Sequence, residues 1–146
     1  MHGRTVVEFS TRPGTRLALH ASAHGKIWLA FGSGGLLERV LSKPRPAWTP
    51  HTITDAKALS SEVQAVRKRG WSTAPHEAVT GVNTLAAPVL DHRGVLVGSI
   101  AMVGSTQVIT AKPTPAQINA VIETARSVSR DLGWQGSLMS VREGNK

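Results

Sequence analysis

Six histidines, a serine among glycines and a helix start built from small residues are the places in this 146-residue chain where chemistry could sit. His20 and His24 stand four apart, but His20 precedes the helix, and no Glu follows it as a zinc-protease pattern requires. His51, His76 and His92 fall in loop-forming stretches, so no ligand set has the spacing of a metal site. Ser33 lies in Phe31-Gly-Ser-Gly-Gly35, which lacks the glycine two residues earlier that a nucleophile elbow needs. Gly32, Gly34 and Gly35 are not followed by the Lys-Ser or Lys-Thr pair of a phosphate loop. Glu77 beside His76 is a pairing that chance supplies readily. Catalysis is therefore not expected, nor is a metal or a cofactor.

The helix start remains. In His20-Ala-Ser-Ala-His-Gly-Lys-Ile-Trp-Leu-Ala-Phe31, small residues lead into an apolar run, with Ser22 at the N-cap of a helix through Phe31. Such an end leaves backbone N–H groups open, and open amides at the positive end of a helix bind anions. The plainer reading is a capped core helix with Lys26 on its solvent side. Around it, Thr5–Ser10 reads as a strand and Arg12–Thr15 as a turn. Leu36–Leu41 reads as a short second helix, and Lys43–His51, with three prolines, as an extended loop. Thr54 or Asp55 caps a third helix whose apolar face is Leu59, Val63 and Val66 and which Gly70 stops. Trp71–Thr73 begins a short strand, and Val82–Leu90 and Val95–Val103 flank Asp91–Gly94 as a hairpin. Thr114-Pro-Ala-Gln117 is a capping box. The helix it opens should bury Ile118, Val121, Ile122, Ala125, Val128 and Leu132. From Gly133 onward the chain is polar apart from Trp134 and Leu138. The division expected is one domain over residues 1–133 and a polar tail over 134–146. The order of elements makes the fold α+β, with helices on a mostly antiparallel sheet.

The helix start and two later stretches, Thr52–Trp71 and Gly81–Ile100, follow one another in an order and spacing that has a known counterpart. From about Val6 to Leu132 the chain resembles the effector-binding domain of IclR-type bacterial transcriptional regulators. The resemblance implies a GAF-like fold and a pocket lined by the helix start, where Ser22 and the backbone amides near Ala23 and His24 would hold a small carboxylate. It also places Ala74, Thr84, Ala101 and Val103 on the pocket wall. Members that bind small keto acids commonly carry an Asp, a Cys and two Ser there. Three of the four are apolar here, which suits an acid with an apolar or aromatic body better than glyoxylate or pyruvate. Phe9, Leu17 and Trp28 could add apolar surface. The resemblance further implies a homodimer or tetramer. DNA would be contacted through a separate winged helix-turn-helix that is not in this chain, and the start of the effector domain also has no counterpart before Thr5. A sheet without those strands would expose an edge and an apolar face and favour self-association.

Composition sets the outer bounds. A hydrophobic content of 40% and a charged content of 18% fit one globular domain with a core of its own. No apolar run reaches the roughly 20 residues of a membrane span. With no cysteine there is no disulfide or thiolate chemistry, and no leader is evident, so a cytoplasmic protein is expected. The charge of +8 is scattered, with Arg67-Lys68-Arg69 as its one tight cluster, placed where cations suit a helix end. Two rival functions stay open: a ligand-free dimerisation module, and a basic nucleic-acid-binding protein, which would rest on charge without a groove-reading element.

Overall fold

A computed structural model describes Gly14 and residues 16–136. The strand expected at Thr5–Ser10, the rest of the turn at Arg12–Thr15, Phe9 and Leu138 lie outside the described residues. Helix α1 runs Ala23–Phe31, α2 Leu36–Leu41 and α3 Ala56–Arg69. Strand β1 is Ser72–Thr73, β2 Val82–Leu90 and β3 Leu96–Ser105, and helix α4 closes the order at Pro115–Asp131. The three strands form one antiparallel sheet in the order β1-β2-β3, giving an α+β fold. No described helix is long and apolar enough to cross a membrane.

Local signals explain most of these boundaries. Ser22 caps α1 by accepting from the Gly25 amide at 3.0 Å, and Asp55, rather than Thr54, caps α3 through the Ala58 amide. Gly70 ends α3 in the left-handed conformation, φ +83°, which a glycine adopts without steric cost. Thr114 and Gln117 exchange both hydrogen bonds of a capping box, with Pro115 following as the first helical residue. The proline segment is extended only through Ala47. It then turns at Trp48–His51, because the Thr52 hydroxyl accepts from the amides of both Trp48 and Thr49 at 3.0 Å.

Strand alternation sends the two sides of the sheet to different helices. Ala86, Leu90, Leu96 and Ala101 join Ile27, Leu29, Leu59, Val63 and Val66 in a core under α1 and α3. Leu85, Ala87, Val89, Ile100 and Met102 pack with Val121 and Ala125 beneath α4. Thr84 pairs with Val103 and Ala86 with Ala101, so all four belong to the α1 side. A bulge opposite Val89 and Leu90 shifts the register and leaves Val97 as the extra residue, 46% exposed. Pro88 fits a middle strand because β1 pairs no further than Ala86, so the missing N–H falls where β2 has no second described neighbour.

Two expectations fail at the ends of helices. Leu132 is 46% exposed, because α4 stops at Asp131 and the chain turns there. Trp134 instead fills the place against the core, 6% exposed, with its amide bonded to the Ser129 carbonyl at 2.9 Å. Lys26 is not on a solvent face either. It is 1% exposed, since α1 is enclosed by α2, α3 and the sheet. Gly25, the residue before it, permits this enclosure, because a Cβ there would meet the Leu19 carbonyl oxygen at 2.4 Å.

Candidate functional site

The start of α1, the segment that connects β1 to β2, and the Thr84–Val103 pair enclose a cavity of about 460 Å³. Its wall is made by Leu17 before the helix, Ser22, Ala23 and His24 at its first turn, and Ala74, Ala78, Val79 and Val82 along the connection. Thr84 and Val103 close it from the sheet. Ala101 and Trp28 stand outside this wall. Ala101 lies one register step deeper, opposite Ala86, and Trp28 lies a turn further along α1, and both pack against the core. Phe9 is not among the described residues.

The polar inventory of the cavity is short. The Ser22 hydroxyl has no proton left to donate: it donates to the Ala18 carbonyl at 2.8 Å and accepts from Gly25. The amides of Ala23 and His24 have no acceptor among the described residues, and the first turn of α1 carries no acidic side chain. Both N–H groups therefore stand at the positive end of the helix, next to the cavity. The Thr84 hydroxyl and the His24 imidazole complete the set. His24 Nδ1 lies 2.5 Å from Ser99 Oγ, and burial pushes the imidazole below its ordinary value, so the ring is neutral at pH 7. Ser99 does not line the cavity, so this contact holds the ring and does not present a nucleophile.

The connecting segment is pinned from behind by the turn after the prolines. Thr49 Oγ1 donates to the His76 carbonyl and Thr52 Oγ1 to the Glu77 carbonyl, at 2.5 and 2.6 Å. His76, at φ +59°, accepts from the Gly81 amide through Nδ1 and donates its own amide to the Val82 carbonyl. Asn83, fully buried, accepts from the Ala74 amide and donates to the carbonyls of Ile109 and Thr110. Of these, the bonds at Glu77, Gly81, Val82, Asn83 and Ala74 fix a lining residue or its direct neighbour.

Behind the helix start lies an ion pair. Lys26 Nζ donates to Glu77 Oε2 at 2.7 Å and to the Thr73 carbonyl at 2.8 Å, and Glu62 Oε1 stands 3.6 Å away. Glu77 is 4% exposed. Burial raises its carboxyl above the usual range, and the Lys26 ammonium opposes that rise. This pair ties α1 to the wall segment across 51 positions of sequence. It was missed in the sequence, although a signal was present: a helix apolar on every side must bury its single lysine, and a buried lysine needs a carboxylate. The basic cluster is likewise engaged within the fold. Arg67 donates to the Ala30 carbonyl at the end of α1, and Arg69 bonds Glu62 and the Trp71 carbonyl and covers the Trp71 ring at 4.3 Å.

Comparison with known proteins adds a family to this geometry. The family described as "Bacterial transcriptional regulator IclR C-terminal" matches residues 2–130. The glycerol operon regulatory protein of Streptomyces griseus is 38% identical over 117 residues, 79% of this chain and 46% of that protein. The HTH-type transcriptional regulator BhcR of Paracoccus denitrificans is 37% identical over 118 residues, 80% of this chain and 42% of that one. The chain thus spans about half the length of the curated relatives it matches. Among solved structures, an IclR homolog from Microbacterium hydrocarbonoxydans, complexed with 4-hydroxybenzoate, superposes with a TM-score of 0.77 at 27% identity. That match covers 90% of this chain and 53% of the other. The curated relatives are named as regulators, not as enzymes.

Proposed function

The chain belongs to the family of IclR-type C-terminal domains, and from that premise we propose that it binds a carboxylic acid with an apolar or aromatic body. One observation carries the reading: Ala23 and His24, whose amides have no acceptor among the described residues, line a cavity whose other walls are mainly alanine, valine and leucine. The amides suit a carboxylate head, and the walls suit a body that needs no hydrogen bonds. A compact acid such as glyoxylate or pyruvate would fill little of about 460 Å³ and would find few polar partners beyond the amides. A structural neighbour that carries 4-hydroxybenzoate supports an acid of this shape.

In this reading the domain also self-associates. Strand β3 has no partner on its outer side among the described residues, and Val95 and Val97 are exposed near it. Binding would bias the geometry of the assembly and pass to a winged helix-turn-helix that contacts DNA. That requires the acid to bind one arrangement better than another.

Thermal unfolding with a panel of acids tests the proposal. An aromatic acid at about 100 times its dissociation constant should add about 2.7 kcal/mol, raising the midpoint by roughly 5 to 10 °C. Pyruvate and glyoxylate should leave the midpoint unchanged at the same concentration. A cooperative transition that no acid moves would favour a ligand-free dimerisation module instead.

A further inference from the structure

Among the described residues lining the cavity, His24 is the one group that titrates near neutral pH. Its ring is not free to turn away, because Nδ1 is held by Ser99 Oγ, and Nε2 has no partner among the described residues. The same residue contributes one of the two open amides at the start of α1. An acid seated on those amides therefore lies beside the imidazole. We propose that His24 determines specificity in this cavity: its imidazole, fixed through Nδ1 by Ser99, takes a proton from solvent at Nε2 as the acid enters and holds the carboxylate as an imidazolium. This rests on the carboxylic-acid reading given above.

The surroundings leave the acid as the natural partner of that charge. Strands β1, β2 and β3 contribute no acidic, basic or histidine side chain to the sheet. On α1 itself, Lys26 is bound by Glu77, and from α3 Glu62 stands near Lys26 while also pairing with Arg69. In the connecting segment, His76 Nδ1 is taken by the Gly81 amide, and Glu77 is turned to Lys26. Arg16, beside Leu17, is exposed, as are Glu38 and Arg39 on α2. Burial lowers the ring of the empty site below its ordinary value, and a carboxylate beside it acts in the opposite direction. The sign follows. The acid raises the affinity of His24 for a proton, so a proton must raise the affinity for the acid by the same factor. A carboxylate stays ionised across this range, so it does not mask the effect.

Calorimetric titration of the full chain with 4-hydroxybenzoate, between pH 6 and 8 in buffers of different ionisation enthalpy, tests the proposal. Binding should take up protons, at most one per acid, and tighten by up to about tenfold per unit as the pH falls. The neutral analogue 4-hydroxybenzamide should take up none. In His24→Leu, uptake should vanish and the affinity for 4-hydroxybenzoate should become weaker and flat with pH. If that variant does not fold, ring signals of the unmodified chain provide the same test, and the titration of His24 should move upward on adding 4-hydroxybenzoate. Binding that is flat with pH in the unmodified chain, or undiminished proton uptake in His24→Leu, would overturn the proposal and leave the carboxylic-acid reading standing. No binding at any pH would overturn both.

Discussion

Replacing Lys26 by Met should destabilise the domain by about 3–5 kcal/mol, the usual cost of stranding one member of a buried ion pair. Equilibrium unfolding in urea measures it directly. The change would leave Glu77, with 4% exposure and Oε1 already without a hydrogen bond in the described structure, as an isolated buried carboxylate. The double variant Lys26→Met, Glu77→Leu should recover most of the loss, because the expense lies in the unpaired charge and not in missing bulk. A single variant no less stable than the unmodified chain would show that the pair does not hold α1 to the wall segment. The pH dependence has a definite sign. Burial raises the folded-state value of Glu77 even with Lys26 present, so its contribution is fully present below the unfolded value and is lost as pH rises through the folded one. Without Lys26 that rise is larger. The deficit of Lys26→Met should therefore be greatest near neutrality and shrink on acidification.

Thr84→Asp should abolish the acid response without abolishing the fold. Thr84 is half-buried at the sheet wall of the cavity, opposite Val103, and among the lining residues only His24 carries a titratable side chain, which the bound acid would engage. A bound acid would face like charge across a cavity with mainly apolar walls. The expected loss of affinity is at least about thirtyfold, taking about 2 kcal/mol as the lower end of the cost of an uncompensated buried polar group. The melt should stay cooperative, while aromatic acids no longer shift it. Retention of the full shift in this variant would place the binding site elsewhere.

What could be read from the sequence was local. Ser22, Thr114, Pro115, Gln117 and Gly70 announce helix ends through contacts within a few residues, and the structure puts those ends where the caps stand. The hairpin follows from two apolar runs and the turn at Asp91–Gly94, though β3 starts one residue later and runs two further than its apolar stretch. Contacts made across the chain were not readable. Nothing near Lys26 names Glu77 as its partner, and nothing near His24 names Ser99, 75 positions away. The cavity wall divides in the same way. Ala74, Thr84 and Val103 came from the resemblance and line the cavity, as does Leu17, expected for its apolar surface, whereas Ala78, Val79 and Val82 line it in a segment whose backbone Thr49 and Thr52 hold from behind. Trp28 was expected there for its apolar surface alone, but a turn of helix carries it past the opening, where it packs against the core.

The central claim is that an acid docks on the amides of Ala23 and His24. A nuclear magnetic resonance titration of the nitrogen-labelled chain with 4-hydroxybenzoate, followed amide by amide, tests it most directly. Saturable shifts should be largest at Ala23 and His24, with Thr84 and Val103 following on the opposite wall. Largest shifts in a region away from the start of α1, or none at saturating acid, would contradict it.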